Sequence, residues 1–414
     1  MADPIDIAAR PFAPLIGVAS LARRAVLGDD LAPLGAALLA RAQDNPTDAH
    51  AYLDYSTVLQ LMGLRDSALA VQAQAIQIQA SYSLPAVRPG SEEAPGLRLL
   101  AIVGPGDLMA NTPIEFLLED SDVSLDLLYL TAESEWPEVV PDHDVMMVAV
   151  AESDANQPLL ERLERFVAHW PRPVINLPER IAVLSRDGVC AALRDIPGVE
   201  MPTTARIDRS ALQALGAGEA TVHSLLPNDD FPLIVRPIDS HAGQNLEKIM
   251  CRDDIGKYLR RVDAQRFYVA RFVDYRGNDG LFRKYRIALI EGRPFVCHFA
   301  VSAHWMIHYL NAGMDESAAK RAEEAACMAR FDEDFALRHA AAFQAIYQRM
   351  RLPYLGIDCA QTRTGDLLIF ESDNAMVVHA MDGEEMYPYK KPAMRKVFTA
   401  FRQMLENARQ TAPS

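Results

Sequence analysis

The stretch Tyr354-Leu-Gly-Ile-Asp-Cys-Ala-Gln-Thr-Arg-Thr-Gly-Asp-Leu-Leu-Ile-Phe-Glu-Ser-Asp-Asn374 decides how the chain is read. Tyr354 to Ala360 is a short, largely apolar run. Thr362 to Asp366 is turn-rich and Leu367 to Phe370 is a second apolar run, so the whole reads as a hairpin. Side chains at i and i+2 of a strand share a face, so Glu371 and Asp373 point the same way. Folding the hairpin brings Asp358, thirteen residues before Glu371, beside them. Three carboxylates at one strand edge repel unless cations lie between them, and hard oxygen ligands of this kind suit Mg²⁺. Solvated turn acids are the alternative reading of the same residues.

The arrangement resembles the metal-binding hairpin of the ATP-grasp superfamily, where an Asp on one strand and a Glu-x-Asn on the next hold two Mg²⁺ ions against ATP phosphates. Asp358 and Glu371 match the first two positions at the family spacing, and Asp373 stands where the family has Asn. The resemblance implies ATP and Mg²⁺ as cofactors, two ions with Mn²⁺ as a substitute, and Asp358, Glu371 and Asp373 as metal ligands.

Composition sets outer limits. A chain of 414 residues is long enough for about three domains. Half of it is hydrophobic, 23% is charged, and no stretch is long and apolar enough to span a bilayer. A net charge of −15 argues against broad electrostatic binding to nucleic acid or to an anionic membrane. Cys190, Cys251, Cys297, Cys327 and Cys359 lie far apart with no Cys-x-x-Cys, so neither a zinc site nor a disulfide framework is expected. Asp3 and Asp6 precede any basic residue, which speaks against a signal peptide. A cytoplasmic location is the expectation.

Residues 1–85 read as helices. Leu31 to Ala42 is Ala/Leu-rich, and Asn45-Pro-Thr-Asp48 offers a cap before a long amphipathic run. Asp48 to Gln79 resembles one tetratricopeptide repeat, with Tyr52, Tyr55, Ser56, Leu59, Gly63, Ala68 and Ala75 at its large and small positions. A protein partner docking on these helices is one expectation, and plain packing is the other, since one copy is fewer than the roughly three a solenoid needs. Pro85, Pro89 and Pro95 make Ser81 to Pro95 a linker, with the domain junction at 86–96. Leu97 to Val103, Leu125 to Thr131 and Asp144 to Ala151 then read as buried strands. With a helix over Leu159 to Trp170 they suggest an α/β layer. Gly104-Pro-Gly106 lacks the third glycine of a dinucleotide fingerprint.

Further landmarks of the same resemblance follow in family order. Pro173 to Thr203 is similar to the entry segment, with Arg186-Asp187 near the family's phosphate-facing Lys. A surface charge on a helix is the other reading of that pair. In Phe231 to Lys248 a strand delivers Arg236 and Pro237 where the family has Lys-Pro, then a loop with Ser240, His241 and Gly243. By resemblance Arg236, Ser240, His241 and Gly243 contact phosphate. Phe267 to Tyr275 is similar to the hinge strand, implying that Arg271, Phe272 and Val273 line the adenine slot and that Asp274 meets the ribose. Lys284 to Val301 reads as a hairpin in which Lys284 and Arg286 share a face and His298 can join them across the turn. Arg286 takes the family's catalytic basic position, and Lys284 is placed with the ATP-binding residues. His298, His304, His308 and Asn311 are read as lining the substrate, with a His metal site and plain packing as the other readings of the loop that carries His304, His308 and Asn311. Asp315 to Met350 reads as helical, and a closing helix is expected over Pro392 to Arg409.

The fold expected is therefore mixed α+β and α/β, an ATP-grasp fold behind an N-terminal helical domain. Residues 1–85 are helical, 86–96 a linker, 97–200 an α/β domain, and 201–405 the nucleotide-binding and catalytic domain. The resemblance implies an ATP-dependent carboxylate–amine or peptide-type ligase that works through an acyl phosphate, on a small molecule or peptide carrying a carboxylate and an amine. Two other readings stay open: a small-molecule kinase, and a weakly catalytic nucleotide-binding scaffold.

Overall fold

The structure is a computed structural model that describes residues 13–88, 96–137, 139–238, 240, 243–308 and 311–411. Its contacts divide the chain into two compact units. One comprises Met1–Val150, His169–Val174 and Leu405–Ser414; the other comprises Ala151–Ala168 and Ile175–Met404.

The first unit opens with helices Val18–Val26, Ala32–Asp44, Ala49–Leu61 and Arg65–Ile78. Asp48 caps the third: its carboxylate accepts from Ala51 N–H at 2.9 Å. Gly63, at φ +80°, turns the third helix into the fourth, a conformation that costs glycine nothing. Ala68 and Ala75, fully buried, line the fourth helix. The sheet of this unit runs β1 (Ser81–Leu84), β3 (Ser124–Tyr129), β2 (Arg98–Val103), β4 (Val145–Val148) and β5 (Val174–Ile175), in that spatial order. β2 pairs in parallel with β3 and β4. Their near-continuous burial is what a parallel strand covered on both faces requires.

Ser81–Leu84 corrects the linker reading. It pairs antiparallel with β3 as an edge strand, with Tyr82 fully buried and its hydroxyl donating to Ala75 O at 2.9 Å. The helices are therefore joined to the sheet by a strand of that sheet, and Ser81–Leu84 is not linker. Pro89 and Pro95 lie outside the described residues.

Two acids hold the first helix from separate elements. Asp54 accepts from Ile16 and Gly17 N–H, at 2.9 and 3.1 Å, and Glu115 accepts from Ala19 N–H at 3.0 Å. Burial pushes Asp54 up to about 6 and Glu115 up to about 7, against the lowering effect of those N–H donors. Both native pKa values lie above the unfolded ones, so the protonated acid is favoured by folding. That stabilisation is complete below about pH 4 and lost as pH rises through 6 to 7. Glu115→Gln keeps an acceptor for Ala19 and removes one titration. The variant should melt above the wild type at pH 8, by the equivalent of about 1–3 kcal/mol, and match it near pH 4. Parallel melting curves across that range would refute the assignment.

The second unit holds two sheets. β7 (Thr204–Asp208), β10 (Arg266–Arg271), β8 (Leu233–Pro237) and β9 (Glu247–Ile249) form one, in that order. Helices Arg209–Ala217 and Arg252–Arg261 bury Leu212, Leu215, Ile255 and Tyr258 with Leu233, Val235, Phe267 and Val269 of these strands. Each such aliphatic side chain contributes roughly 1.5–3 kcal/mol. The other sheet has the order β12 (Arg293–Ser302), β11 (Phe282–Ile290), β13 (Tyr354–Gln361), β14 (Leu367–Asp373) and β6 (Val199–Glu200). The hairpin of β13 and β14 is the one read from the sequence. Helical segments Ala318–Arg330, Phe335–Arg338 and Ala340–Met350 replace the single helical run expected there. The break falls where Phe335 stacks on Tyr285, ring centroids 4.0 Å apart. The closing helix is Lys390–Gln410. The mixed α+β class is as expected, and no described helix is long and apolar enough to cross a membrane.

Candidate active site

Strand register builds the site. In the five-stranded sheet, Arg286 lies opposite Asp358 and Asp358 opposite Glu371, so Arg, Asp and Glu stand in a row across β11, β13 and β14. An irregularity after Asp358 sets Cys359 opposite Ile369, which leaves Phe370 as the extra residue. In the four-stranded sheet, Arg206 lies opposite Tyr268 and Tyr268 opposite Arg236, a second row across β7, β10 and β8. A cleft lined by Arg186, Ser240, Tyr268, Phe370, Glu371 and Asp373, among others, takes members from both sheets.

The acids of the first row are paired. Asp358, 1% exposed, is held bidentately by Arg286, Nε–Oδ1 2.8 Å and Nη2–Oδ2 3.0 Å, and by Lys284 Nζ at 2.6 Å. Burial by itself would raise its pKa, but Arg286 and then Lys284 hold it well below the usual carboxylate range. Glu371 is bonded by the Arg186 guanidinium, which also donates to Phe370 O at 3.1 Å. Its carboxyl is lowered despite burial, because Arg186 and Arg236 outweigh desolvation. Asp373 accepts from Ala375 N–H at 2.9 Å and is pushed up to about 6 by burial and by the charge of Glu371.

These facts bear on the metal reading. The three acids are close enough to feel one another, yet no group of three His, Cys, Asp or Glu among the described residues stands at metal-holding spacing. Glu371 and Asp373 fit a divalent cation, being hard oxygen donors two residues apart on β14, the charge of the first disfavouring ionisation of the second. Asp358 fits less well, since both of its oxygens are taken by Arg286 and Lys284.

Arg236 is the opposite case. It is 8% exposed, and no ion pair is found for it among the described residues; its contacts are to Ser240, Nε–Oγ 3.1 Å and Nη2 to the backbone carbonyl. Burial, then the like charge of Arg186, lowers it to about 10. Ser240 is thus tied to the strand residue expected to share its ligand. Gly243 sits at φ +75°, where a Cβ would come 3.3 Å from Met306 Sδ. His241 lies outside the described residues.

The remaining candidates separate. Arg271 ends β10 and pairs with Glu200 and, at 2.9 Å, with Asp229; Phe272, Val273 and Asp274 lie past the strand end, where the sequence reading had run the strand on to Tyr275. Phe272 meets Trp305 edge-on at 5.7 Å, and Lys248 lies 4.2 Å above the Phe272 ring. Val273 packs beside Tyr275 and Phe282. Asp274 is engaged by Arg276 at 2.6 Å. His298 is buried next to His379, ring centroids 5.2 Å apart; burial and then the charge of Lys390 keep its imidazole neutral. The loop after β12 reaches the row through Lys284, whose ammonium donates to Ile307 O at 3.2 Å. Burial lowers the pKa of His308, and Asn311 accepts its N–H at 3.0 Å, so Asn311 shapes the loop. His304 is exposed. Arg186 was legible only as one of two readings; its tie to Glu371 spans 185 residues.

The solved structures similar to the chain include two that cover about three quarters of it. A RimK domain protein ATP-grasp from Sphaerobacter thermophilus DSM 20745 is 13% identical, covering 74% of this chain and 99% of its own, with a TM-score of 0.42. VanG D-Ala:D-Ser ligase from Enterococcus faecalis is 12% identical, covering 76% and 99%, with a TM-score of 0.46. The similarity is to an ATP-grasp protein and to a ligase. No family model and no curated protein matches the chain.

Proposed function

We propose that the chain is an ATP-dependent carboxylate–amine ligase of the ATP-grasp type. The observation that carries this reading is Arg236, a buried guanidinium with no ion pair among the described residues, on which the charge of a second cation, Arg186, weighs more than that of the carboxylate Glu371. Burying an unpaired charge costs several kcal/mol unless an anion joins it. The planar, five-donor guanidinium suits phosphate oxygens.

In this reading Arg236, Ser240, His241 and Gly243 hold the phosphates. Arg271, Phe272 and Val273 bound the adenine and Asp274 the ribose. A substrate carboxylate oxygen attacks the γ-phosphorus, the bond to the bridging oxygen breaks, and ADP leaves. The amine then attacks the acyl carbon, phosphate departs, and the nitrogen gives up a proton. Arg286 and Lys284 stand where charge on the transferred group is to be offset, and no protein nucleophile is needed. His298, His304, His308 and Asn311 belong to the substrate side. Glu371 and Asp373 would hold magnesium, or manganese in its place, and Asp358 would join by releasing Arg286 or Lys284. When bound, the metal draws negative charge from the phosphoryl group.

Release of ADP and phosphate in a screen of amino acids, peptides and polyamines tests the reading. Amine dependence supports the ligase, phosphorylated product without it indicates a kinase, and binding without turnover indicates a scaffold. Arg236→Ala should weaken ATP binding by about 1.5–3 kcal/mol, with Arg236→Lys recovering part of the loss. Unchanged affinity by calorimetry would mean that the nucleotide site lies elsewhere.

A further inference from the structure

Arg186 occupies an electrostatically poor position. It is the first residue of the helix Arg186–Leu193, where Ser185 caps by accepting from Gly188 N–H at 3.2 Å. A cation there opposes the positive end of the helix dipole. Its like charge also weighs on the buried Arg236. What holds it in place is the β13–β14 hairpin: its guanidinium bonds Glu371 and donates to Phe370 O at 3.1 Å. Side-chain exposures of 22% for Arg186 and 37% for Glu371 leave both groups within reach of a ligand.

We propose that Arg186 is a place-holding cation. It neutralises Glu371 while the cleft lacks ligand, and it exchanges that carboxylate for nucleotide phosphate when a divalent cation takes Glu371 over. The inference rests on the nucleotide reading above and adds an exchange of partners to it. Two facts favour exchange over a fixed pair. Glu371 is a member of the row that would hold the metal, so a permanent pair would block a ligand oxygen. Arg186 and Ser240, the residue tied to Arg236, line the same cleft, so the released guanidinium stays near the phosphate candidates.

The exchange predicts effects of opposite sign on two probes. Binding of Mn²⁺ alone is measured by the loss of its free-ion paramagnetic signal, and binding of ADP in EDTA by calorimetry. Arg186→Gln removes the competitor from Glu371 and should bind Mn²⁺ at least about fivefold tighter, while binding ADP at least about fivefold more weakly. Arg186→Lys keeps the charge and should stay near wild type in both. Glu371→Gln should show the mirror image: weaker Mn²⁺ and tighter metal-free ADP, because Arg186 is released. This variant tests the exchange even if Arg186→Gln folds poorly. Weaker ADP with unchanged Mn²⁺ in Arg186→Gln makes Arg186 an ordinary phosphate ligand and overturns the exchange while leaving the nucleotide reading intact. A wild-type protein that binds neither ADP nor ATP overturns both.

Discussion

Glu371→Gln should abolish magnesium-dependent ATP turnover, with a fall of at least about 10²–10³ in rate, the scale seen when one charge-stabilising group is lost from an active site. The substitution preserves volume and removes one negative charge. Glu371 is the acid of the row that lines the cleft, and Asp373, its neighbour on the same strand, is already raised to about 6 by burial and by Glu371. Taking Glu371 away leaves Asp373 as the one carboxylate of the pair, since both oxygens of Asp358 are engaged by Arg286 and Lys284. The fold should survive, because the partner that loses its ion pair, Arg186, is partly exposed and keeps its bond to Phe370 O. Turnover is read as ADP release at saturating Mg²⁺, with thermal melting as the control. Wild-type turnover would remove Glu371 from the metal assignment.

A large effect of another kind is expected at Asp358. Asp358→Asn should lower the stability of the second unit by about 3–5 kcal/mol, because removing one partner of a buried ion pair strands the other. Here two cations are stranded, Arg286 and Lys284, which share the one carboxylate. Asn is nearly isosteric, so neither a cavity nor a clash enters. The melting temperature of that unit should drop by roughly 6–15 °C. Combining it with Arg286→Gln gives a cycle whose coupling energy isolates the pair. A loss below about 1 kcal/mol would mean that the pair behaves as a solvated surface contact.

Much of this was legible in the sequence, and the boundary has physical causes. The Asp358–Glu371 pairing follows from hairpin geometry, which is local. That Arg286 stands opposite Asp358 does not, because it depends on β11 lying beside β13, and strand order is set by long-range packing. Arg186 shows the same limit more sharply: its charge was readable and its partner was not. Ser81–Leu84 was missed although Ser-Tyr-Ser-Leu alternates at the strand period, because four residues running into a proline-rich stretch are short enough to read as part of it; the buried Tyr82 marks the pairing. Asp274 and Asn311 show how short polar residues mislead. Both satisfy neighbours two or three residues away, Arg276 and His308, a local use that the residue type alone does not reveal.

The contact of Trp305 with Phe272 and Lys248 has a practical consequence. The chain has three tryptophans. Trp136 and Trp170 lie in the first unit with ring centroids 5.6 Å apart, and Trp170 is also stacked on His143. Trp305 alone belongs to the second unit, with Lys248 5.9 Å from its ring and Met306, its neighbour, against Gly243. In the proposed reading Phe272 bounds the adenine, so the emission of Trp305, which meets it edge-on, would serve as a built-in optical gauge of nucleotide binding. Replacing Trp136 and Trp170 with Phe would leave one fluorophore, and nucleotide arrival could then be timed in a stopped-flow instrument without any attached dye.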